Sequence, residues 1–247
     1  GAGPGPLTDA LLDAAVAVGA VETSDLDWKS ELPQAKGLPQ TDFPKDVAAM
    51  ANSGGGVIVF GVRESKKAAT ERVDVGECDE AYERTSRSAA ITAISPPVFG
   101  LNVYRLGDGA KRAVVVEVPA SIDGPHLIYR NDFFGAPIRN DSDTVWMKER
   151  QIEAMYRARF DERRHAAEAL DNLFTETASG RDTDKRAWLI AAAHPRVPRF
   201  RDRLTREQAR EVLSKTEGLA LTYAGRGGIH PLESVDRHNP RPGLRRW

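Results

Sequence analysis

Length and composition exclude several classes at once. The chain has 247 residues, 40% hydrophobic and 29% charged, enough for one large domain or two modest ones with a real core. Cys78 is the only cysteine, which excludes an internal disulfide and a multi-cysteine zinc site and points to a reducing, cytoplasmic setting. The longest strongly apolar run, 57–62, is far too short to span a bilayer. No basic–apolar–small leader pattern opens the chain, and GAGPGP reads as a flexible start outside the fold.

Charge is uneven. Residues 151–247 carry 19 Lys and Arg against 14 Asp and Glu, whereas residues 1–150 carry 16 against 22. A basic C-terminal part suits polyanions, and it equally suits a solvated arginine-rich helix.

In chain order, residues 7–18 are apolar and alanine-rich, with Thr8 or Asp9 as the cap and Gly19 as the stop, which predicts a helix. Residues 25–32 alternate: Leu26, Trp28 and Ser30 on one side, Asp25, Asp27, Lys29 and Glu31 on the other. That is the period of a half-buried strand. Residues 33–40 form a loop punctuated by proline and glycine. Thr41 or Asp42 caps a second helix, with Pro44 in its first turn and Phe43, Val47, Met50 and Ala51 at helical spacing. Gly54, Gly55 and Gly56 end it, and 57–62 is apolar on both faces, as in a central covered strand.

A helix is predicted over 79–94, stopped by Pro96 and Pro97. Strands follow at 99–106, 112–118 and 127–130, the first two joined as a hairpin through Gly107–Gly109, with a short strand at 136–139. A long helix covers 150–174. The fold class is therefore α+β, a mixed, mostly antiparallel sheet flanked by helices, with a smaller C-terminal region. The domain boundaries fall at 1–174 and 185–247, with 175–184 as linker, a strand at 187–193, and a helix at 205–214 opened by a Thr205/Gln208 capping box. The ending PRPGLRRW reads as an unfinished element, so the chain is expected to be a fragment of a longer protein.

Four chemical signals stand out. SGGGVIVFGV runs helix, glycines, strand, the reverse of a phosphate loop, so the glycines read as a helix end. No GxxxxGK[ST] is present, and none of the five histidines has metal-ligand spacing; His126, where a strand begins, reads as a loop histidine. Glu22, Asp27 and Glu64 converge if strands 25–32 and 57–62 are neighbours. Three carboxylates suit Mg²⁺ or Mn²⁺, with Lys29 beside them; ordinary cross-strand ion pairs are the alternative. Finally, Lys29, Lys36, Lys45, Arg63, Lys66 and Lys67 gather on the same helix–strand unit, and Arg157, Arg159, Arg163 and Arg164 line the long helix. Such residues track a phosphate backbone or simply face solvent.

These same residues carry a family resemblance. ETSDLDWK (Glu22, Leu26, Asp27, Trp28, Lys29) and KDVAAMANSGGGVIVFGVRE (Ala49, Ala51, Asn52, Ser53, Gly55, Gly56, Gly61, Val62, Glu64) resemble the two leading blocks of the Schlafen/Alba-like DNA-binding domain family. Pro96-Pro97, the GPH at His126, and Arg139 with Thr144 resemble its later strands, so that the similarity covers about 8–160. The resemblance implies a compact α+β nucleic-acid-binding domain of the kind found in bacterial regulators. It also implies a three-carboxylate site at Glu22, Asp27 and Glu64, because related animal domains cleave structured RNA. Three departures are visible: Asp27 where glutamate is usual, no glycine in RESKKAA, and Asn140-Asp141 in place of glycine.

The expected function is a cytoplasmic nucleic-acid-binding protein, a bacterial regulator or defence-type protein, with Lys29, Lys45, Arg63 and Arg139 on the backbone of DNA or RNA. The alternatives are an endonuclease using Mg²⁺ or Mn²⁺ at Glu22, Asp27 and Glu64, and a protein-interaction scaffold. No cofactor is expected for binding alone, no membrane partner is expected, and a homo-oligomer is left open.

Overall fold

The computed structural model describes residues 7–130 and 133–179, together with Thr205, Glu207, Gln208, Arg210, Glu211, Ser214 and Lys215. Backbone contacts divide the chain into two units, Gly1–Glu168 and Ala169–Trp247. The elements run α1 (Asp9–Ala17), β1 (Leu26–Lys29), α2 (Phe43–Asn52), β2 (Gly56–Phe60), β3 (Val62–Ser65), β4 (Ala68–Arg72), α3 (Glu80–Thr92), β5 (Ile94–Ser95), β6 (Asn102–Leu106), β7 (Ala113–Val118), β8 (Leu127–Arg130), β9 (Phe133–Gly135), β10 (Pro137–Asn140), β11 (Asp143–Trp146) and α4 (Glu149–Ala178). The class is α+β, as the sequence predicts.

The central sheet has the order β1-β2-β7-β6. Only β1 and β2 are parallel; β2–β7 and β7–β6 are antiparallel. Strand alternation assigns its two faces. Ile58 and Phe60 of β2 and Val114, Val116 and Val118 of β7 pack with Val47, Met50 and Ala51 of α2 and Ala89 and Ala90 of α3. Val59, Ala113 and Val115 pack on the opposite face with Trp28 of β1 and Leu12 of α1. Trp28 therefore turns away from α2, and its neighbours Asp27 and Lys29 turn toward it. The period of β1 alone sends one aromatic to one core and two charges to the other side.

Three two- or three-stranded ribbons surround this sheet: β3–β4, β5-β8-β9 and β10–β11. The apolar run 57–62 is not one strand. Gly61 has a φ of +104, and a Cβ there would stand 3.0 Å from the Arg112 carbonyl oxygen, so the chain leaves the central sheet at that point and starts β3. The β3–β4 hairpin lacks the usual Asn-Gly signal. Its two-residue turn is Lys66-Lys67, both with positive φ, the geometry of a type I′ turn carried by residues that disfavour it.

Other boundaries moved for local reasons. β1 ends at Lys29, short of residue 32. Thr8 and Asp79 cap α1 and α3 through their side chains. α3 stops at Thr92 because Ile94 and Ser95 pair with β8 instead. Thr41 Oγ1 accepts from Phe43 N–H, while Asp42 takes the cap position of α2 without a side-chain cap bond. α4 runs to Ala178, into the segment expected as linker.

In the second unit, Thr205 and Gln208 form the capping box: Thr205 N–H donates to Gln208 Oε1 at 2.9 Å, and Gln208 N–H to Thr205 Oγ1 at 3.2 Å. The strand expected at 187–193 lies outside the described residues. Among the described residues no helix is long and apolar enough to cross a membrane.

The β1–β2 pairing rests on Gly56, where a Cβ would stand 2.5 Å from the Asp25 carbonyl oxygen. Gly54 also has positive φ but faces open space. Gly56→Ala should therefore lower stability by about 2–3 kcal/mol, and Gly54→Ala by about 1 kcal/mol, from backbone strain alone. Urea unfolding of the two variants checks the order.

Candidate functional site: a charged cleft

A cleft of about 520 Å³ opens between β1, α2 and the β3–β4 and β10–β11 hairpins. All seven residues nominated from the sequence line it: Glu22, Asp27, Lys29, Lys45, Arg63, Glu64 and Arg139. Asp46, Lys67, Ser142, Asp143 and Thr144 join them. Five cationic and five anionic side chains face one space, so the cleft is balanced in charge and is not a basic groove.

The floor is built around Asp27. Arg139 Nη1 donates to Asp27 Oδ1 at 3.1 Å, and both side chains are almost wholly enclosed, 3% and 4% exposed. Arg139 also donates to Thr144 Oγ1 and to the Thr23 carbonyl. Lys29 Nζ stands 2.9 Å from Asp27 Oδ2 and 3.4 Å from Asp46 Oδ2. Burial works against the Lys29 charge, but the Asp46 and Asp27 carboxylates outweigh it and raise its pKa. Burial is the main cause of the raised Asp46 pKa.

Asn52 and Ser53 set Arg139 in place. Asn52 Nδ2 donates to the His126 and Pro137 carbonyls, and Oδ1 accepts from His126 N–H at 2.7 Å. Ser53 Oγ accepts from Arg139 N–H at 2.8 Å and donates to the Ala49 carbonyl. The end of α2 is thereby stitched to β10, the strand that carries Arg139. His126 itself is fully buried, with Nδ1 2.8 Å from the Pro96 carbonyl oxygen, and burial lowers its pKa. It serves the scaffold and does not line the cleft.

The wall is the β3–β4 hairpin. Lys67 Nζ lies 3.5 Å from Glu22 Oε2, 3.0 Å from Asp143 Oδ1 and 3.3 Å from the Ser142 carbonyl oxygen. Glu22 Oε1 accepts from Trp28 N–H, and Glu22 N–H donates to the Lys67 carbonyl. Burial raises the Glu22 pKa, and the nearby Asp27 and Glu64 charges add to the rise. Glu64 is exposed on β3 rather than at the end of the central strand. Arg63 pairs with Glu71 at the surface, and Lys45 with Asp42 at 3.2 Å.

The sequence did not single out Asp46, Asp143 or the latch made by Lys67. Asp143 sits 121 positions after Glu22 and no local pattern links them; Lys67 was visible only as one of a basic cluster. Among the helix arginines named from the sequence, Arg157, Arg163 and Arg164 pair with Glu153, Asp123 and Asp161.

Mg²⁺ or Mn²⁺, which the resemblance implies, needs carboxylates turned toward one point. Here Glu22 is held by Trp28 N–H and Lys67, and Asp27 is closed by Arg139 and Lys29. Among the described residues, no three His, Cys, Asp or Glu side chains are gathered closely enough to hold a metal ion. The donor set as arranged does not fit a three-carboxylate metal centre, and no hydrolytic step is assigned to it.

These features define an α+β domain with a charge-balanced cleft at the edge of a mixed sheet. The chain belongs to the Schlafen, AlbA_2 family, whose model matches residues 22–148. That membership fits a nucleic-acid-binding domain. Among solved structures it is similar to the DIP2311 protein from Corynebacterium diphtheriae, at 15% identity and a TM-score of 0.41, over 61% of this chain and 32% of that one. It is also similar to the N-terminal domain of an ATP-dependent DNA helicase RecG-related protein from Nitrosomonas europaea, at 19% identity and a TM-score of 0.40, over 58% of this chain and 94% of that one. Neither similarity carries an argument about function. None of the curated proteins matches the chain.

Two measurements test the cleft. Asp27→Ala leaves the Arg139 guanidinium buried without a counter-charge and should lower stability by about 3–5 kcal/mol in urea unfolding; a loss typical of a surface pair would remove Asp27 from the floor. The raised Glu22 pKa also has a pH signature. The folded state holds that proton more tightly than the unfolded state, so its contribution to stability is complete below the unfolded pKa and fades as pH rises through the folded value. Glu22→Gln should accordingly flatten the decline of the urea midpoint as pH rises above about 4.

Proposed function

We propose that this domain binds nucleic acid by exchanging surface ion pairs of the cleft for contacts with phosphate oxygens, and that it acts as a bacterial regulator or defence-type protein. The observation that supports this reading most is the depth ordering of the cleft cations. Arg139 is enclosed, and it positions Asp27 and Thr144 instead of reaching a ligand. Lys29 is bound to two carboxylates. Arg63 and Lys67, in contrast, lie at the rim, with side chains 59% and 42% exposed. Exposed ion pairs contribute little to stability, so transferring Arg63 from Glu71 to a phosphodiester costs little, and Lys67 can exchange its exposed Asp143 partner while keeping Glu22. Lys45 lies beside them on α2. Lys66, at the exposed tip of the β3–β4 hairpin, adds a further charge. Family membership supports the same class of ligand.

The paired state of the cleft is how a domain whose residues 1–150 carry 16 Lys and Arg against 22 Asp and Glu could bind a polyanion without a basic face. Arg63, Lys67 and Lys45 are neutralised until phosphate replaces their exposed carboxylates. Affinity should then be modest and strongly dependent on salt.

The test is fluorescence anisotropy of labelled DNA and RNA, single-stranded and duplex, from about 50 to about 200 mM salt. Arg63→Ala with Lys67→Ala should weaken binding to all sequences alike and reduce the salt slope on duplex by about two units. An unchanged slope would remove these two side chains from the interface. The same mixtures with Mg²⁺ or Mn²⁺ examine the endonuclease alternative. Strand cleavage that disappears in Glu22→Gln and Asp27→Asn would replace the binding-only reading, because those carboxylates would then have to release their cations to a metal.

A further inference from the structure

A second surface remains outside the cleft. Tyr129, Phe133, Phe134 and Trp146 are all exposed, and they belong to three neighbouring strands, β8, β9 and β11. Phe133 is 80% exposed, more than any other large apolar side chain among the described residues. A patch this aromatic on short ribbons is not explained by packing of the domain.

The strand geometry arranges these rings in a row. Thr144 lines the cleft and accepts from Arg139, and Trp146 is two residues further along β11. Two residues in a strand return to the same face about 7 Å away. Trp146 lies over Gly135 of β9: a Cβ at Gly135 would stand 2.7 Å and 2.8 Å from two atoms of the indole benzo ring. The missing side chain is what allows that ring to rest on the strand, while Trp146 stays 54% exposed. Phe133 is two residues back along β9, on the same face as Gly135 and about 7 Å along the strand from it. On the reverse face of the ribbon, Tyr129 and Phe134 are cross-strand partners with ring centroids 5.8 Å apart.

We propose that Trp146 and Phe133 form a stacking track for unpaired nucleobases, on a strand whose phosphates lie in the cleft. The proposal rests on the nucleic-acid reading above and deepens it to single-stranded ligand. The occupant is argued from continuity: Thr144 and Trp146 share one face of β11, and Thr144 lines the charged cleft, so one extended polymer with phosphates and bases can occupy both cleft and rings. Stacking on aromatic rings needs no sequence preference, because every base has a π-face.

The experiment uses the full chain and three probes of equal length: an oligothymidine, an abasic oligonucleotide with the same phosphates, and a duplex. The wild type should bind the oligothymidine about ten-fold or more tightly than the abasic strand. Phe133→Ala with Trp146→Ala should erase most of that difference and leave abasic and duplex binding, and their salt slopes, unchanged. Phe133→Ala alone, at a position that carries almost no packing, should lose part of it and guards against misfolding of the double variant. Equal affinity of the wild type for oligothymidine and abasic strand would overturn the track, as would a double variant that still discriminates. A self-association of the wild type that the double variant abolishes, with base discrimination intact, would make the face an interface between copies and likewise overturn it. Failure of all three probes to bind would instead sink the nucleic-acid reading of the cleft and the track with it.

Discussion

The buried pair between Arg139 and Asp27 is the contact on which the rest of the site depends. Asp27 lies on the edge strand of the central sheet, and Arg139 on a separate hairpin 112 residues later. A carboxylate taken out of water demands a counter-charge, and a guanidinium taken out of water demands filled donors. Asp27, Thr144 and the Thr23 carbonyl supply acceptors for Arg139, although its Nε finds none. Once the pair forms, the β10–β11 hairpin is fixed beside β1, Asp143 is brought to Lys67, and the cleft has its far wall.

Backbone docking makes that pair possible. Asn52 and Ser53 use their side chains on segments more than 70 residues away, and so act as tertiary connectors at the end of α2. Charge then propagates outward from the floor in a chain: Arg139, Asp27, Lys29, Asp46 on one side, and Glu22, Lys67, Asp143 on the other. Glu22, Asp27, Asp46 and Asp143 are each met by an ammonium or guanidinium of the protein. This is why a set of acidic residues that could have gathered a metal is arranged here around the protein's own cations. Lys67 reaches its place from a turn conformation that lysine disfavours, a local strain that the Glu22 and Asp143 contacts offset.

The same arrangement connects structure to function through depth. Deep ion pairs hold geometry and resist exchange, and rim pairs exchange readily because water already screens them. A polyanion approaching the cleft would meet Arg63, Lys67 and Lys66 first. On the proposed reading, the aromatic row that begins two residues beyond Thr144 would offer bases a surface beside the one offered to phosphates.

Much of this was written in local sequence. The alternation of 25–32 placed Trp28 and Asp27 on opposite faces, the apolar run after the glycine triplet gave the central strand, and the Thr205/Gln208 spacing gave a capping box. Family membership was legible because ETSDLDWK and ANSGGG lie close together in the chain. Glu22, Asp27, Lys29, Arg63 and Glu64 share one cleft because β1 and β2 pair in parallel and bring their flanking segments side by side, whereas Lys45 comes from α2 and Arg139 from the β10–β11 hairpin. What local sequence did not determine was the pairing. The β3–β4 turn has no Asn-Gly to mark it, the break at Gly61 depends on how closely Arg112 approaches, and the partners of Asp27, Glu22 and Lys29 come from α2 and from hairpins far along the chain. Charge type is set by the residue, but whether a carboxylate meets a metal, a lysine or solvent is set by which distant backbone is folded against it, and only the tertiary structure decided that.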